Sequence, residues 1–541
     1  MGKGRSQPDA IIIGAGHNGL TCAFYLARAG LKVRMLEARE LVGGAAVTQE
    51  FHPGFRNSVA SYTVSLLQEK IIADMRLVQR GYRVIERPVS NFLPLPGGDH
   101  LILGGGLERT QREFARFSSA DAEALPGYLA MLERVADVLR DLALRPPPNV
   151  GGGIGGLVEA LTTGRLLSRL PREVQRDMLD LFTRSAREFL GQWFESDPVQ
   201  AAFGFDAVVG NYASPDTPGS AYVLLHHVFG AVNGNKGSWG HVIGGMGAIT
   251  QMMAEACTEL GVEISLNSPV DQVLTEGERA TGVRLASGEA LYARRVIANV
   301  GPKLLYGRMI ARDVLPRDFM RRIDGYVTGS GSFRMNVALD RLPEFACLPN
   351  SSATGDAEHL RAGIVIAPSL DYMDRAFSDA KAYGWARAPI VEMLIPSLID
   401  ETLVDDGLAP PGHHVASLFC QQFNPALDWT PEQESAAAQC IIDTVEAHAP
   451  GFRASIIGRQ VLSPRGLERT FGLIGGDIFH GRMSLDQLWA ARPVLGHADY
   501  RGPLKGLYMC GAGTHPGGGV TGAPGHNAAR AVLADRGWLR S

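Results

Sequence analysis

Residues 9–37 read DAIIIGAGHNGLTCAFYLARAGLKVRMLE, and the architecture of the chain follows from them. Asp9–Ile13 is a short apolar run ending on Gly14, the pattern of a strand buried on both faces. Asn18–Ala29 sets Leu20, Ala23, Phe24, Leu26 and Ala27 along one side of a helix that Gly30 closes. Lys32–Glu37 is a second strand. Strand, helix and strand within thirty residues form a βαβ unit and predict a parallel sheet.

Gly14-Ala15-Gly16-His17-Asn18-Gly19 ends the strand and opens the helix, where a G-x-G-x-x-G run has a mechanical meaning. Gly14 permits the tight turn, Gly16 lets backbone N–H groups reach a pyrophosphate, and Gly19 lets helix and strand pack closely. The helix N-terminus adds partial positive charge. Glu37 follows Gly19 by 18 residues, suited to a ribose diol, and its carboxylate would repel a 2′-phosphate. Glu37-Ala38-Arg39 then runs into Gly43-Gly44-Ala45-Ala46, a second glycine pair one short loop later. That pair points to FAD rather than NAD.

Near the other end, GLYMCGAGTHPGGGVTG (506–522) reads as strand, glycine turn and helix start. Backbone groups around Gly511, Ala512, His515, Gly519 and Val520 are expected to hold ribityl and diphosphate oxygens, and Val270 is counted with the cofactor contacts. Two ends of the chain then meet on one cofactor. No second dinucleotide fingerprint accompanies the first: Gly244–Gly247 has the wrong spacing, and Gly151–Gly156 follows no strand. One FAD and no nicotinamide domain are expected.

The fold class is therefore α/β, with a discontinuous Rossmann-type FAD domain over 1–70, 238–305 and 500–541. A substrate domain of mixed sheet and helices occupies 71–237 and 306–499. Helices are expected over Ser58–Arg80 and Ala120–Leu144, a connector over Arg145–Gly156, and further helices over Leu157–Val208. Val270–Leu274, Thr281–Leu285 and Ala290–Tyr292 read as a meander and Val296–Asn299 as a buried strand. Phe333–Leu339, Ile390–Ile395 and His414–Gln421 read as strands, and Thr430-Pro431 starts a helix to His448.

Composition narrows the function classes. The chain has 541 residues, a formal charge of −4 and no basic stripe, which argues against a nucleic-acid partner. Of its 65 glycines, 22 fall in 14–54, 230–247 and 506–525, beside the cofactor motifs. Six scattered cysteines, none in C-x-x-C spacing, support neither a metal site nor a dithiol centre and suit a reducing compartment. Eight residues before the first strand are too few for a leader, and no apolar run reaches a membrane span. A cytoplasmic protein is expected, with peripheral membrane contact allowed; oligomeric state is left open.

GAGHNGL (14–20), GGAAVTQE (43–50), PGFRNSVASYTVSLL (53–67), GSWGHVIGGMGAIT (237–250) and the 506–529 run resemble the phytoene desaturase-type flavoproteins. Within these, the resemblance is nearest to the pyridine nucleotide-disulphide oxidoreductase domain-containing group. It spans nearly the whole chain and implies an amine-oxidase-like architecture, with a substrate domain over a hydrophobic tunnel. It also implies hydride removal from an isoprenoid-like substrate. The cysteine spacing does not support the disulphide chemistry in the group's name. Ala512 stands where many amine-oxidase relatives carry an acidic residue, so ribityl binding would rest on backbone groups.

Flavin oxidation needs a positioned donor carbon, exclusion of water and, where a proton also leaves, a base. His226 or His227 is the candidate base; neighbours on a helix or strand point apart, so one of the two is expected to face inward. Trp239 is a candidate wall beside the flavin. Arg334 and Arg469 are candidates for neutralising a substrate carboxylate or reduced flavin, although solvated or paired arginines are commoner. Cys510 reads as a buried inert thiol rather than a flavin attachment point. Leu166, Leu167, Leu170, Phe182, Phe189, Trp193 and Phe194 read either as a membrane-surface patch or as ordinary packing.

The first expectation is an FAD-dependent oxidoreductase acting on a C–C or C–N bond of an apolar substrate, reoxidised by oxygen or a quinone. Amine oxidation and polyene saturation or isomerisation stand as alternatives within catalysis. A non-catalytic prenyl or lipid chaperone of the same fold stands outside it.

Overall fold

The computed structural model describes residues 7–536 apart from 150, 352–356 and 406. Residues 1–6, Val150 of the expected connector, and 537–541 therefore lie outside the described residues. The first strand, Ala10–Ile13, is buried throughout and sits at the centre of a five-stranded parallel sheet. Its neighbours are Val33–Leu36 and Val296–Ala298, with Glu263–Ser265 and Leu507–Met509 at the edges. The sheet thus gathers strands from distant parts of the chain.

Side chains alternate across this sheet as strand geometry requires. Ala10 and Ile12 pack with Leu20, Ala23 and Leu26 of helix His17–Arg28, and with helices Met246–Glu259 and Ala523–Ala534. Ile11 and Ile13 face the other way, onto Val273 and Val283 of the meander and Phe319 and Ile323 of helix Arg317–Gly325.

A second sheet has seven strands in the order 456–462, 332–339, 414–423, 385–394, 363–366, 91–94, 100–103. Its pairs are antiparallel except 363–366 with 91–94. One face is covered by helix Pro431–His448, whose Thr430 and Gln433 form a reciprocal capping box. The other face carries Phe419, Val365 and Leu93 toward helices Ser119–Ala143 and Asp197–Val208.

Three expected elements differ, the first being the connector over 145–156, into which helix Gly153–Ser168 already extends. Ser58–Arg80 is not one helix; only Glu69–Asp74 and a turn at Val78–Arg80 are helical. The backbone before them is committed elsewhere: Val59 N–H donates to Val47 O and Ser61 N–H to Ala45 O. Val64 N–H donates to Gly240 O at 3.0 Å. The apolar residues that suggested a helical stripe are buried because this strap is wrapped on both sides. The last helix, which the sequence pattern starts at Asn527 and runs to Asp535, begins at Ala523, since Pro524 is accommodated in its first turn.

Candidate functional site

One cavity of about 1500 Å³ runs from the glycine loop to the seven-stranded sheet. At the first end its wall includes Gly14, Gly16, His17, Asn18, Glu37, Ala38, Arg39, Gly43, Gly44, Ala45, Ala46, Val270, Ala512, Gly519 and Val520.

The chain makes this end by withdrawing side chains. Gly14 has φ +91° and Gly43 φ +123°, values that favour glycine. Gly43 N–H donates to Ala15 O at 2.8 Å, joining the two glycine loops. A Cβ on Gly16 would stand 2.9 Å from the Asn299 amide, so the cradle is filled as tightly as glycine allows. With its amide oxygen turned toward the helix, Asn299 accepts from Gly19 N–H at 3.2 Å and Gly16 N–H at 3.3 Å. Asn299 was not singled out from sequence; as the residue just past a buried strand it lacked any motif of its own.

Glu37 is buried, and its carboxylate accepts Ala15 N–H at 2.7 Å and Arg39 N–H at 3.0 Å. Carboxylate oxygens have lone pairs to spare for a diol. Arg39 donates to Gly44 O at 3.2 Å and Gln49 Oε1 at 2.8 Å, and its guanidinium lies 4.8 Å over the Phe471 ring. Gly244 to Gly247, an unassigned part of the motif set, braces this loop from behind. Asp400 accepts from His241 Nε2 at 2.7 Å and Gly244 N–H at 2.8 Å. Gly247 N–H then donates to Thr48 Oγ1, and Thr250 Oγ1 donates to Ala46 O, both at 3.0 Å.

Arg492 holds the C-terminal turn. It is fully buried, and its donors end on carbonyls: Phe479 at 2.6 Å, Ala512 at 2.9 Å and Gln487 at 3.0 Å. Sequence reading missed it because nothing local marks an arginine that acts on carbonyls 13 and 20 residues away.

The orphaned polar atoms at this end fit a dinucleotide. His17 Nε2 and Asn18 Oδ1 are buried without a protein partner, beside the helix N-terminus. Burial lowers the His17 imidazole to about 4, against a backbone hydrogen bond with Gly519 that raises it. It is neutral at pH 7.

The far end is built from side chains. Arg334, Phe419 and Glu392 are register neighbours across three adjacent strands, hence on one face of the sheet. Tyr62 lies across that row: its ring stacks on Phe419 at 5.3 Å, Arg334 sits 4.5 Å from its centroid, and its hydroxyl donates to Glu392. Arg87 Nη2 donates to Thr63 Oγ1 at 2.9 Å. Asp206 lies 3.5 Å from His227 Nε2, and burial, reinforced by Glu392, raises its carboxyl well above the usual range. Burial, with His226 and Arg87 adding to it, takes His227 down to about 3. The wall is therefore not uniformly apolar.

Both His226 and His227 line this cavity, correcting the expectation that one would face inward. They end a 3₁₀ stretch, Ser220–His227, and reach the cavity beside different aromatic rings. His226 packs 5.1 Å from the Phe479 ring; His227 stands 5.2 Å from Trp239, whose indole N–H donates to His227 O at 3.1 Å. Trp239 lines the cavity too.

Four expected cofactor residues do not line it. Ala15 gives its N–H to Glu37, Gly19 packs against the Gly14 carbonyl, and Gly511 packs on Asn299. His515 turns away: its Nε2 meets Leu142 O at 3.1 Å, and it lines a second cavity of about 570 Å³ instead. Arg469 lines the nucleotide end and pairs with Glu434 at 3.3 Å; Arg334 lies beneath Tyr62. Cys510 is buried, with its thiol pKa pushed well up by burial, and all six cysteines are free. Phe189 and Phe194 are core, Phe182, Leu170 and Trp193 pack against it, and Leu157, Val158, Leu161 and Leu179 are exposed. No helix among the described residues is long and apolar enough to cross a membrane.

Known proteins extend this picture. The family profile described as flavin containing amine oxidoreductase matches residues 19–343. The chain is 40% identical to the rat (Rattus norvegicus) pyridine nucleotide-disulfide oxidoreductase domain-containing protein 2, over 98% of this chain and 94% of that protein. It is 25% identical to a phytoene desaturase (lycopene-forming) of Pseudescherichia vulneris, over 97% of this chain and 98% of that protein. Cyclohexylamine oxidase of Brevibacterium oxydans superposes with a TM-score of 0.57 at 15% identity, covering 99% of this chain and all (100%) of that one. That likeness shows the amine-oxidase-like fold.

Proposed function

The chain belongs to the flavin-containing amine oxidoreductase family, with FAD as its cofactor, and from that premise we propose that it removes hydride from a C–C or C–N bond of a largely apolar substrate. The observation that carries this is the single cavity joining the glycine-lined end to the side-chain end.

The roles at the first end follow from what each group can donate or accept. Gly16, His17 and Asn18 would meet the diphosphate at the helix N-terminus, where backbone N–H groups and partial positive charge converge. Glu37 would take the ribose diol with the lone pairs left after Ala15 and Arg39. Gly43 to Ala46 on one side and Ala512, Gly519 and Val520 on the other would flank the remainder of the cofactor.

When bound, FAD supplies the two-electron oxidising chemistry. The chain's own work is to place the donor carbon, keep water out and hold polar atoms in fixed protonation states. Leu224, Phe205, Val209 and Phe479 line the cavity with apolar surface. His226 and His227, both neutral because burial lowers them to about 4 and about 3, act as acceptors or neutral donors rather than cations. Oxygen or a quinone would serve as the electron acceptor.

Anaerobic mixing of the purified protein with isoprenoid, amine and alcohol panels tests the reading. Bleaching of the oxidised flavin band by an apolar C–H donor is expected. Bleaching by none of the panels would overturn it, bleaching by amines alone would confine it to the C–N bond, and a colourless protein that takes up no added FAD would favour the lipid-binding alternative.

A further inference from the structure

The far end of the cavity holds an arginine that the fold leaves largely unspent. Arg87 contributes to the cavity wall, and its guanidinium has five N–H donors. Among the described residues, one of them is used, on Thr63 Oγ1 at 2.9 Å, and no carboxylate lies within 4 Å. Arg492, fully buried, spends its donors on five carbonyls, those of Phe479, Gly481, Arg482, Gln487 and Ala512. Arg140 pairs with Glu133 and Asp137, each at 2.7 Å. Arg87 is the exception on a wall that can receive a ligand.

Room has been made around it. Gly363 sits where a Cβ would stand 2.9 Å from Asn91 Oδ1, 3.0 Å from Glu392 Oε1 and 3.2 Å from Arg87 Nη1. A side chain there would close the pocket into which these three polar groups reach. Nδ1 of His227, also on this wall, is buried without a protein partner. A polar group left unmatched against a bound ligand weakens its binding. A hydrocarbon would leave the open donors of Arg87 unmatched.

Charge decides which head group suits the site. Arg87 is the guanidinium on the cavity wall; Arg334 lies behind the Tyr62 ring, and the Glu392 carboxylate already accepts the Tyr62 hydroxyl. Asp206 is already engaged, 3.5 Å from His227 Nε2, and burial raises its carboxyl above the usual range. A carboxylate can take a bidentate contact from the open donors of Arg87, which an ammonium head, itself a donor, cannot.

We propose that this end of the cavity is a carboxylate site, in which Arg87 holds the anionic head of a substrate whose apolar body lies along Phe203, Phe205, Val209 and Leu224. The substrate is then an apolar organic acid, not a hydrocarbon or an amine. The inference rests on the reading that this cavity holds substrate beside FAD.

The test is isothermal titration calorimetry of the holoenzyme at neutral pH with straight-chain carboxylates, primary amines and alcohols of matched length. Carboxylates are expected to bind one per chain, about tenfold or more tighter than matched amines and alcohols. Arg87→Gln is expected to weaken them about 30-fold with unchanged FAD content and thermal midpoint. Arg87→Lys, which keeps the charge but not the fork, should fall between. Amines or alcohols binding as tightly, no carboxylate binding, or an Arg87→Gln variant as tight as wild type would overturn the proposal. So would loss of FAD from Arg87→Gln, which would assign Arg87 to the cofactor. A protein that binds no FAD at all would instead strike the functional reading beneath it.

Discussion

At one end of the cavity Gly14, Gly16, Gly43 and Gly44 remove side chains so that backbone lines the wall; at the other, Tyr62, Arg87, Asp206, His227, Glu392 and Phe419 arrive from separate segments. The first end recognises by amides that every residue carries, and it is vulnerable to anything that adds a Cβ. The second recognises by particular functional groups, and it is vulnerable to anything that removes one. Additions should therefore harm the first end and deletions the second.

Arg492 bridges the two regimes, because it ties Ala512 beside the cofactor to the loop bearing Phe479. Arg492→Met leaves several buried carbonyls without a donor, and a loss of about 3–5 kcal/mol is expected, read by chemical denaturation. A loss below 1 kcal/mol (about that scale) would show that the two ends are held independently.

Acid should weaken both ends alike. His17 and His226 are lowered by burial to about 4, His480 also to about 4, and His227 to about 3. A group whose folded value lies below its ordinary 6.5 binds fewer protons folded than unfolded as pH falls beneath 6.5. Stability is thus highest above pH 6.5 and declines toward 4, by about 1.4 kcal/mol per pH unit for each histidine. Thermal midpoints from pH 7.5 to 4.5 check this, and His226→Gln should flatten the slope.

Gly16 has an ordinary φ of −72°, so Gly16→Val adds bulk without forcing the backbone. The crowding against Asn299 and the cofactor path should cost about 1–3 kcal/mol, or about 5- to 150-fold in FAD affinity. Glu37→Arg strands the Ala15 and Arg39 N–H groups and should lower FAD retention in the same range. Cys510→Ala is the smallest change expected: within about 1 kcal/mol of wild-type stability, with FAD content unaltered, because the thiol is buried beside Cys22 and attached to nothing.

Legibility follows the same division. Gly14 to Gly19, Glu37 and Gly43-Gly44 could be read because sequence neighbours act together there, and glycine marks backbone that approaches a ligand. The sheet strands Ala10–Ile13, Val33–Leu36, Val296–Ala298 and Leu507–Met509 were legible as short apolar runs. Arg87, Tyr62, Asp206 and Glu392 carried no local signal, since strand register and the 59–68 strap bring them together across more than 300 residues (Tyr62 to Glu392 spans 330). That strap was misread as helix for the same reason: its hydrogen bonds go to Val47, Ala45 and Gly240, none of them nearby in sequence terms that periodicity can register. His515 was drawn into the cofactor set by its place in the glycine turn, yet its imidazole is claimed by Leu142.

The division of labour between the two ends is tested most directly by the FAD-to-chain ratio of purified Gly16→Val and Arg87→Gln, measured by absorbance on samples handled in parallel. The Gly16→Val protein should lose most of its FAD while Arg87→Gln matches wild type. Retention in Gly16→Val together with loss from Arg87→Gln would contradict it.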